Sequence, residues 1–182
     1  MMVNLLFLVG LTYWFWRYAT NHYLCFAAVS DDFSTAELVL RLGASPNYRL
    51  PTGETPLTLA RHPLMIKTLL AAGADVNARD GIGRSALFLA VERGDMSVVK
   101  VLVEHGADVN QATDSGVTPL MIASRDGRLD IVQLLVDHGA DPTLRDRRGF
   151  TAIDFARGRD RAEHRVIKQL LQKVVVIRRS VP

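Results

Sequence analysis

The sequence predicts an all-α fold: a solenoid of about five stacked helix-turn-helix units with short β-turn fingers, preceded by an apolar N-terminal helix. Three markers predict it, and all three recur in register. Gly83, Gly116 and Gly149 stand 33 residues apart, and Gly53 lies 30 residues before Gly83. Gly73-Ala74-Asp75, Gly106-Ala107-Asp108 and Gly139-Ala140-Asp141 repeat with them, after Gly43-Ala44-Ser45. A Leu-x-x-Ala pair recurs at Leu24/Ala27, Leu57/Ala60, Leu87/Ala90 and Leu120/Ala123, and continues as Ile153/Ala156. Self-similarity at this period marks units that cannot bury their apolar face alone and must stack.

The first element is the N-terminal stretch. Met1 to Trp16 holds no charged side chain and is followed by Arg17. As a helix it spans about 24 Å, a little short of the roughly 30 Å hydrocarbon core of a bilayer. Tyr13, Trp14, Trp16 and Tyr18 gather at one end, as an interfacial aromatic belt does. The expectation is a hydrophobic helix over 1–20 that anchors a single-pass protein in the membrane through residues 1–18. Arg17 places the repeats on the cytoplasmic side. Two other readings are a helix that caps the first repeat and a cleaved signal of an exported or periplasmic protein.

The repeat domain is expected over 22–173, in units of 22–52, 53–82, 83–115, 116–148 and 149–173, with a tail over 174–182. Thr55-Pro56 and Thr118-Pro119 place a hydroxyl N-cap before a proline at the first helical position, where its missing N–H costs nothing. Ser85 and Thr151 keep the cap before Ala. Gly94 and Gly127 then reverse the chain in the left-handed region. A second helix follows, with Val98, Val99, Val101 and Leu102 or Ile131, Val132, Leu134 and Leu135 on one broad apolar face. Asn77 and Asn110 open the turn into the next unit. Val174 to Ile177 fits a longer last helix, an apolar cap or a short strand.

Gly-Glu-Thr-Pro-Leu-Thr-Leu-Ala from Gly53, Gly-Val-Thr-Pro-Leu-Met-Ile-Ala from Gly116 and Gly-Ala-Asp-Val-Asn at Gly73 and Gly106 resemble the ankyrin repeat. The resemblance covers about residues 22 to 173. It is specific for fold and nearly silent on function. Some units depart from the pattern. The second is three residues short around Arg61-His62-Pro63, so its inner helix or turn is truncated. The first has His22-Tyr23 where Thr-Pro is expected, and the fifth carries extra basic residues between Arg157 and Arg165.

Composition narrows the function classes. A chain with 48% hydrophobic and 23% charged residues is globular, and one Cys permits neither an intrachain disulfide nor a multi-cysteine zinc site. No catalytic, cofactor or metal site is expected. His105 and His138 sit one repeat apart, but no acidic or Cys cluster completes a metal site. They read as C-terminal helix residues favourable to the dipole. His62 reads as a turn residue, and Cys25 as a small semi-buried one. Asp75, Asp108 and Asp141 belong to cap and turn chemistry. Gly81-Ile82-Gly83 lacks the rest of a nucleotide fingerprint.

The resemblance implies partner binding on the concave side, by fingers and inner helices. The candidates are Arg79, Asp80 and Ile82 in one finger, then Arg84, Glu92 and Arg93 beyond it. The next unit offers Thr113, Asp114, Ser115, Val117, Arg125 and Asp126. The last offers Arg145, Arg147, Arg148 and Phe150, a cationic and aromatic tip of the kind that anchors interfaces. The function expected is a non-enzymatic, membrane-tethered scaffold, monomeric, binding another protein. The runner-up is an exported ankyrin-type effector or enzyme-protecting factor with a cleaved signal. A third reading assigns the basic C-terminal region to nucleic acid or anionic lipid. Eleven Lys or Arg against four Asp or Glu lie from Arg145 onward, in a chain of net charge +3. Interspersed acids disfavour that reading.

Overall fold

The computed structural model describes residues 2–158 and 162–180, with side chains over 16–157 and 162–177. Among the described residues ten α-helices follow one another, with no strand. They are α1 (Met2–Ser30), α2 (Phe33–Arg41), α3 (Pro56–Leu59), α4 (Pro63–Ala71), α5 (Ala86–Arg93), α6 (Met96–Glu104), α7 (Pro119–Asp126), α8 (Leu129–Asp137), α9 (Ala152–Phe155) and α10 (Ala162–Ser180). Odd and even helices form two columns. The α1, α3, α5, α7 and α9 helices pack in sequence, and α4, α6, α8 and α10 pack in sequence beside them.

The periodic Leu and Ala positions build the core between the columns. Leu24, Ala27, Leu57, Ala60, Leu87, Ala90, Leu120 and Ala123 are all buried, and Ala lets the inner helices approach closely. The inner helices α3, α5, α7 and α9 each start on a hydroxyl residue. Thr55 Oγ1 accepts from the Thr58 N–H, while Thr58 Oγ1 accepts from the Thr55 N–H, a reciprocal capping box. Ser85 caps Phe88 in the same way. Thr151 departs from the expected cap, because its N–H and hydroxyl both donate to Asp154 Oδ2.

The second unit is truncated as its spacing predicts. Its inner helix α3 has only 4 residues. The chain turns extended at Ala60 and restarts at Pro63, with His62 Nδ1 accepting from the Leu64 N–H. Gly94 and Gly127 end α5 and α7 with φ of 80° and 73°, a region that costs an L side chain about 1–2 kcal/mol. Val174 to Ile177 continue the last helix.

Two expectations about the N-terminus change. Among the described residues, no helix is long and apolar enough to cross a membrane. That overturns the single-pass membrane localisation and the anchor assigned to residues 1–18. The physical reason is continuity. The helix does not end near residue 20 but runs 29 residues to Ser30, through Arg17, Thr20, Asn21 and His22. Its C-terminal half belongs to the array: Leu24, Ala27 and Ala28 are buried against it, and Thr20 and Asn21 are buried polar residues.

A ladder of asparagines ties unit to unit. Asn47 Oδ1 accepts from the Asp75 N–H at 2.7 Å, Asn77 Oδ1 from Asp108 at 2.8 Å and Asn110 Oδ1 from Asp141 at 2.7 Å. Asn21 Oδ1 takes the Ser45 N–H at 2.7 Å in the same way. The helix α1 therefore supplies the first rung, from Asn21 just ahead of its buried Leu24 and Ala27.

Candidate functional site

The fingers are the best-defined polar structures in the molecule, and their shape comes from one backbone pattern used four times. The Leu50, Asp80, Thr113 and Asp146 N–H groups donate to the carbonyls of Glu54, Arg84, Val117 and Phe150 at 2.9–3.0 Å. The glycine one residue before each of those carbonyls donates back across the turn. Side chains reinforce two fingers strongly. Asp80 Oδ1 accepts from the Ile82 and Arg84 N–H groups, and its Oδ2 from Arg84 Nε at 2.7 Å. Asp146 does the same with the Arg148 and Phe150 N–H groups and with Arg148 Nε. Burial alone would raise the Asp80 carboxyl, but the hydrogen bonds from Arg84 and Ile82 together outweigh it and hold it below the ordinary carboxylate range. Asp146 is lowered likewise, against its own desolvation, by Phe150 and Arg148. It lies in the last finger, whose turn covers its carboxylate.

Arginines then join finger to finger. Arg49 Nη1 donates to the Gly53 and Arg79 carbonyls. Arg79 repeats this one unit on, reaching Gly83 O, Ala112 O and Asp114 Oδ1. Backbone contacts add to the clamp, with the Asp114 N–H on Ile82 O and the Arg147 N–H on Ser115 O. The second finger also needs glycine. A Cβ at Gly81 would lie 2.4 Å from Thr52 O, so only Gly admits so close an approach.

Between the last three fingers and the helices behind them lies an open cleft of about 450 Å³. Phe88 and Ile122, both buried, form its floor. Ile82, 59% exposed at a finger tip, and half-buried Val117 extend the apolar surface. Arg84, Glu92, Asp114 and Arg147 stand around it. Thr113 and Ser115 lie 2.9 Å apart, hydroxyl to hydroxyl, on the same wall.

Residues 60–146 match the family model of ankyrin repeats, in 3 copies. Over those residues the repeats are ankyrin repeats. No curated protein matches the chain. Ankyrin repeats are modules for binding other proteins, generally without enzymatic activity, and this array is a protein–protein interaction scaffold in that sense.

Of the candidate positions in the ankyrin array, Ile82, Arg84, Glu92, Thr113, Asp114, Ser115, Val117 and Arg147 come together at the cleft. The others go elsewhere. Asp80 is buried in its turn, and Arg79 is committed to the clamp. Arg93 binds Asp95 and reaches back to Ala60 O, and Arg125 chelates Asp126. The cationic tip does not share one face. Arg145 lines a separate hollow with Thr151, Asp154 and Arg157, and Arg148 lies over the Phe150 ring at 5.1 Å. Phe88, Ile122, Arg49 and the asparagine ladder escaped sequence reasoning. The recurring Asn47, Asn77 and Asn110 were the available signal; Asn21 lies outside that register.

The remaining chemistry-bearing residues have structural partners. His105 and His138 Nδ1 lie 2.7 and 2.8 Å from the carbonyls of Val101 and Leu134 in their own helices. Cys25 is buried, and burial, with Glu54 nearby, pushes its thiol up to about 11. His164 is buried, and Nε2 stands 3.0 Å from Arg125 O, closing the last unit onto α7. In the basic C-terminal region Arg157 pairs with Asp154, while 159–161, 181 and 182 lie outside the described residues.

Proposed function

We propose that this ankyrin-repeat protein holds a partner protein in the cleft between its second, third and fourth fingers. The convergence of eight candidate positions around an apolar floor supports the reading, and Ile82 carries it most directly. A large aliphatic side chain left 59% exposed on a turn that is pinned on both sides is pre-organised for contact. The finger loses little freedom on binding, because Asp80 and the Arg79 clamp already fix it. The contact set is Ile82, Arg84, Glu92, Thr113, Asp114, Ser115, Val117 and Arg147, and the array acts as a monomeric binder over residues 22–173.

Affinity capture with quantitative mass spectrometry tests this. The full chain, its Ile82→Asp variant and a control changed on another exposed patch, Phe26→Asp, are compared after each is checked for unchanged helicity. Proteins retained by wild type and control but lost with Ile82→Asp are expected. A captured set that Ile82→Asp leaves unchanged refutes the reading.

A further inference from the structure

We infer that the cleft selects a partner segment carrying an apolar side chain with a carboxylate beside it, and that Arg147 reads the carboxylate. The inference rests on the proposed use of the cleft and adds the chemistry of its occupant. The apolar half of the match comes from the floor of Phe88 and Ile122 between Ile82 and Val117. A side chain of Leu, Ile, Met or Phe size entering there buries apolar surface against that floor.

The acidic half follows from how the cleft's charges are already spent. Arg84 Nε binds Asp80 at 2.7 Å, and Asp114 Oδ1 binds Arg79 at 2.7 Å. Glu92 stands 3.8 Å from Arg84 Nη1, with Arg125 in electrostatic reach. Arg147 differs. Its backbone N–H is engaged with Ser115 O, but among the described residues its guanidinium has neither an ion-pair nor a hydrogen-bond partner. Its finger also carries Arg145 and Arg148 against the single carboxylate of Asp146. Among the described residues no carboxylate pairs with Arg147, so an incoming carboxylate meets it without displacing an existing pair. One unengaged guanidinium can hold a carboxylate by two parallel N–H···O bonds. Arg84 and Asp114 already carry partners, Asp80 and Arg79, so a new charge gains less there than at Arg147.

Selection of a random peptide library on the full chain tests the inference. Enriched peptides should place Leu, Ile, Met or Phe within about three residues of Asp or Glu, the reach of an extended chain across the cleft. A fluorescein-labelled copy of the strongest peptide should lose about tenfold in affinity with Arg147→Glu, as expected for reversing an exposed pair. Replacing its acid by Lys should restore binding to Arg147→Glu and not to wild type. Binding lost with Ile82→Asp but indifferent to Arg147→Glu overturns the carboxylate and leaves the cleft standing. Binding indifferent to both variants, or no enrichment at all, overturns the cleft as well. Enrichment only of peptides that need a phosphorylated residue also overturns the carboxylate assignment. Ile82 and Arg147 are both exposed, so each variant should keep its far-UV spectrum, which is measured first.

Discussion

Asp80 was a candidate contact residue by position, and its surroundings make it a load on stability instead. Its side chain is 3% exposed and accepts three hydrogen bonds, from the Ile82 and Arg84 N–H groups and from Arg84 Nε. Asp80→Ala leaves two backbone donors inside a closed turn. Each costs about 1 kcal/mol net once some water enters. The lost link to Arg84, itself about a third exposed, adds roughly 0.5 kcal/mol. The expected destabilisation is about 2–3 kcal/mol, or roughly 5–10 °C in Tm for a chain of this size. Asp80→Asn should cost less, because its carbonyl oxygen can still accept the two backbone N–H groups. Urea unfolding followed by far-UV circular dichroism measures both.

The pH dependence has a definite sign. The folded carboxyl lies below its unfolded value, so its stabilisation is present above the ordinary carboxylate range near about 3.9. It is lost as pH falls through the folded value. The gap between wild type and Asp80→Asn should thus be full at pH 7 and narrow below about pH 4. A destabilisation by Asp80→Ala under about 0.5 kcal/mol, or a gap that widens on acidification, would refute the account of the finger.

Two further predictions concern the helices. Gly139→Ala, at φ of 92° with open space around it, should cost about 1 kcal/mol from backbone strain alone. Gly127→Ala should cost about 1 kcal/mol more, because its Cβ would stand 2.8 Å from His164 Cε1; equal costs in urea titrations would show that His164 moves aside freely. Cys25, buried and pushed up to about 11, should react with a thiol reagent at pH 8 a few hundred times more slowly than an exposed cysteine. Labelling at the exposed rate in the folded protein would contradict its burial.

The sequence by itself determined the repeat. Gly, Leu-x-x-Ala and Thr-Pro act through local backbone geometry and burial on one helix face, and such signals survive in a linear chain. The truncated helix after Thr55 was legible for the same reason, since a missing turn of three residues shows in the spacing. Only the tertiary structure decided what the polar residues do. Arg79 looks like a surface charge until the next finger is placed against it, and Asp80 until its own turn closes over its carboxylate. Asn21 carries no repeat signal in the sequence, and its role shows only when its side-chain carbonyl meets the Ser45 N–H, 24 residues on. The membrane reading failed at the same point. An uncharged run of sequence does not reveal that its helix continues into a packed core. Hydrogen bonds between units join residues about 30 positions apart, so their partners are fixed by stacking and not by local pattern. The cleft has the same origin: Ile82, Val117 and Arg147 come from three successive fingers, and only the stack brings them together.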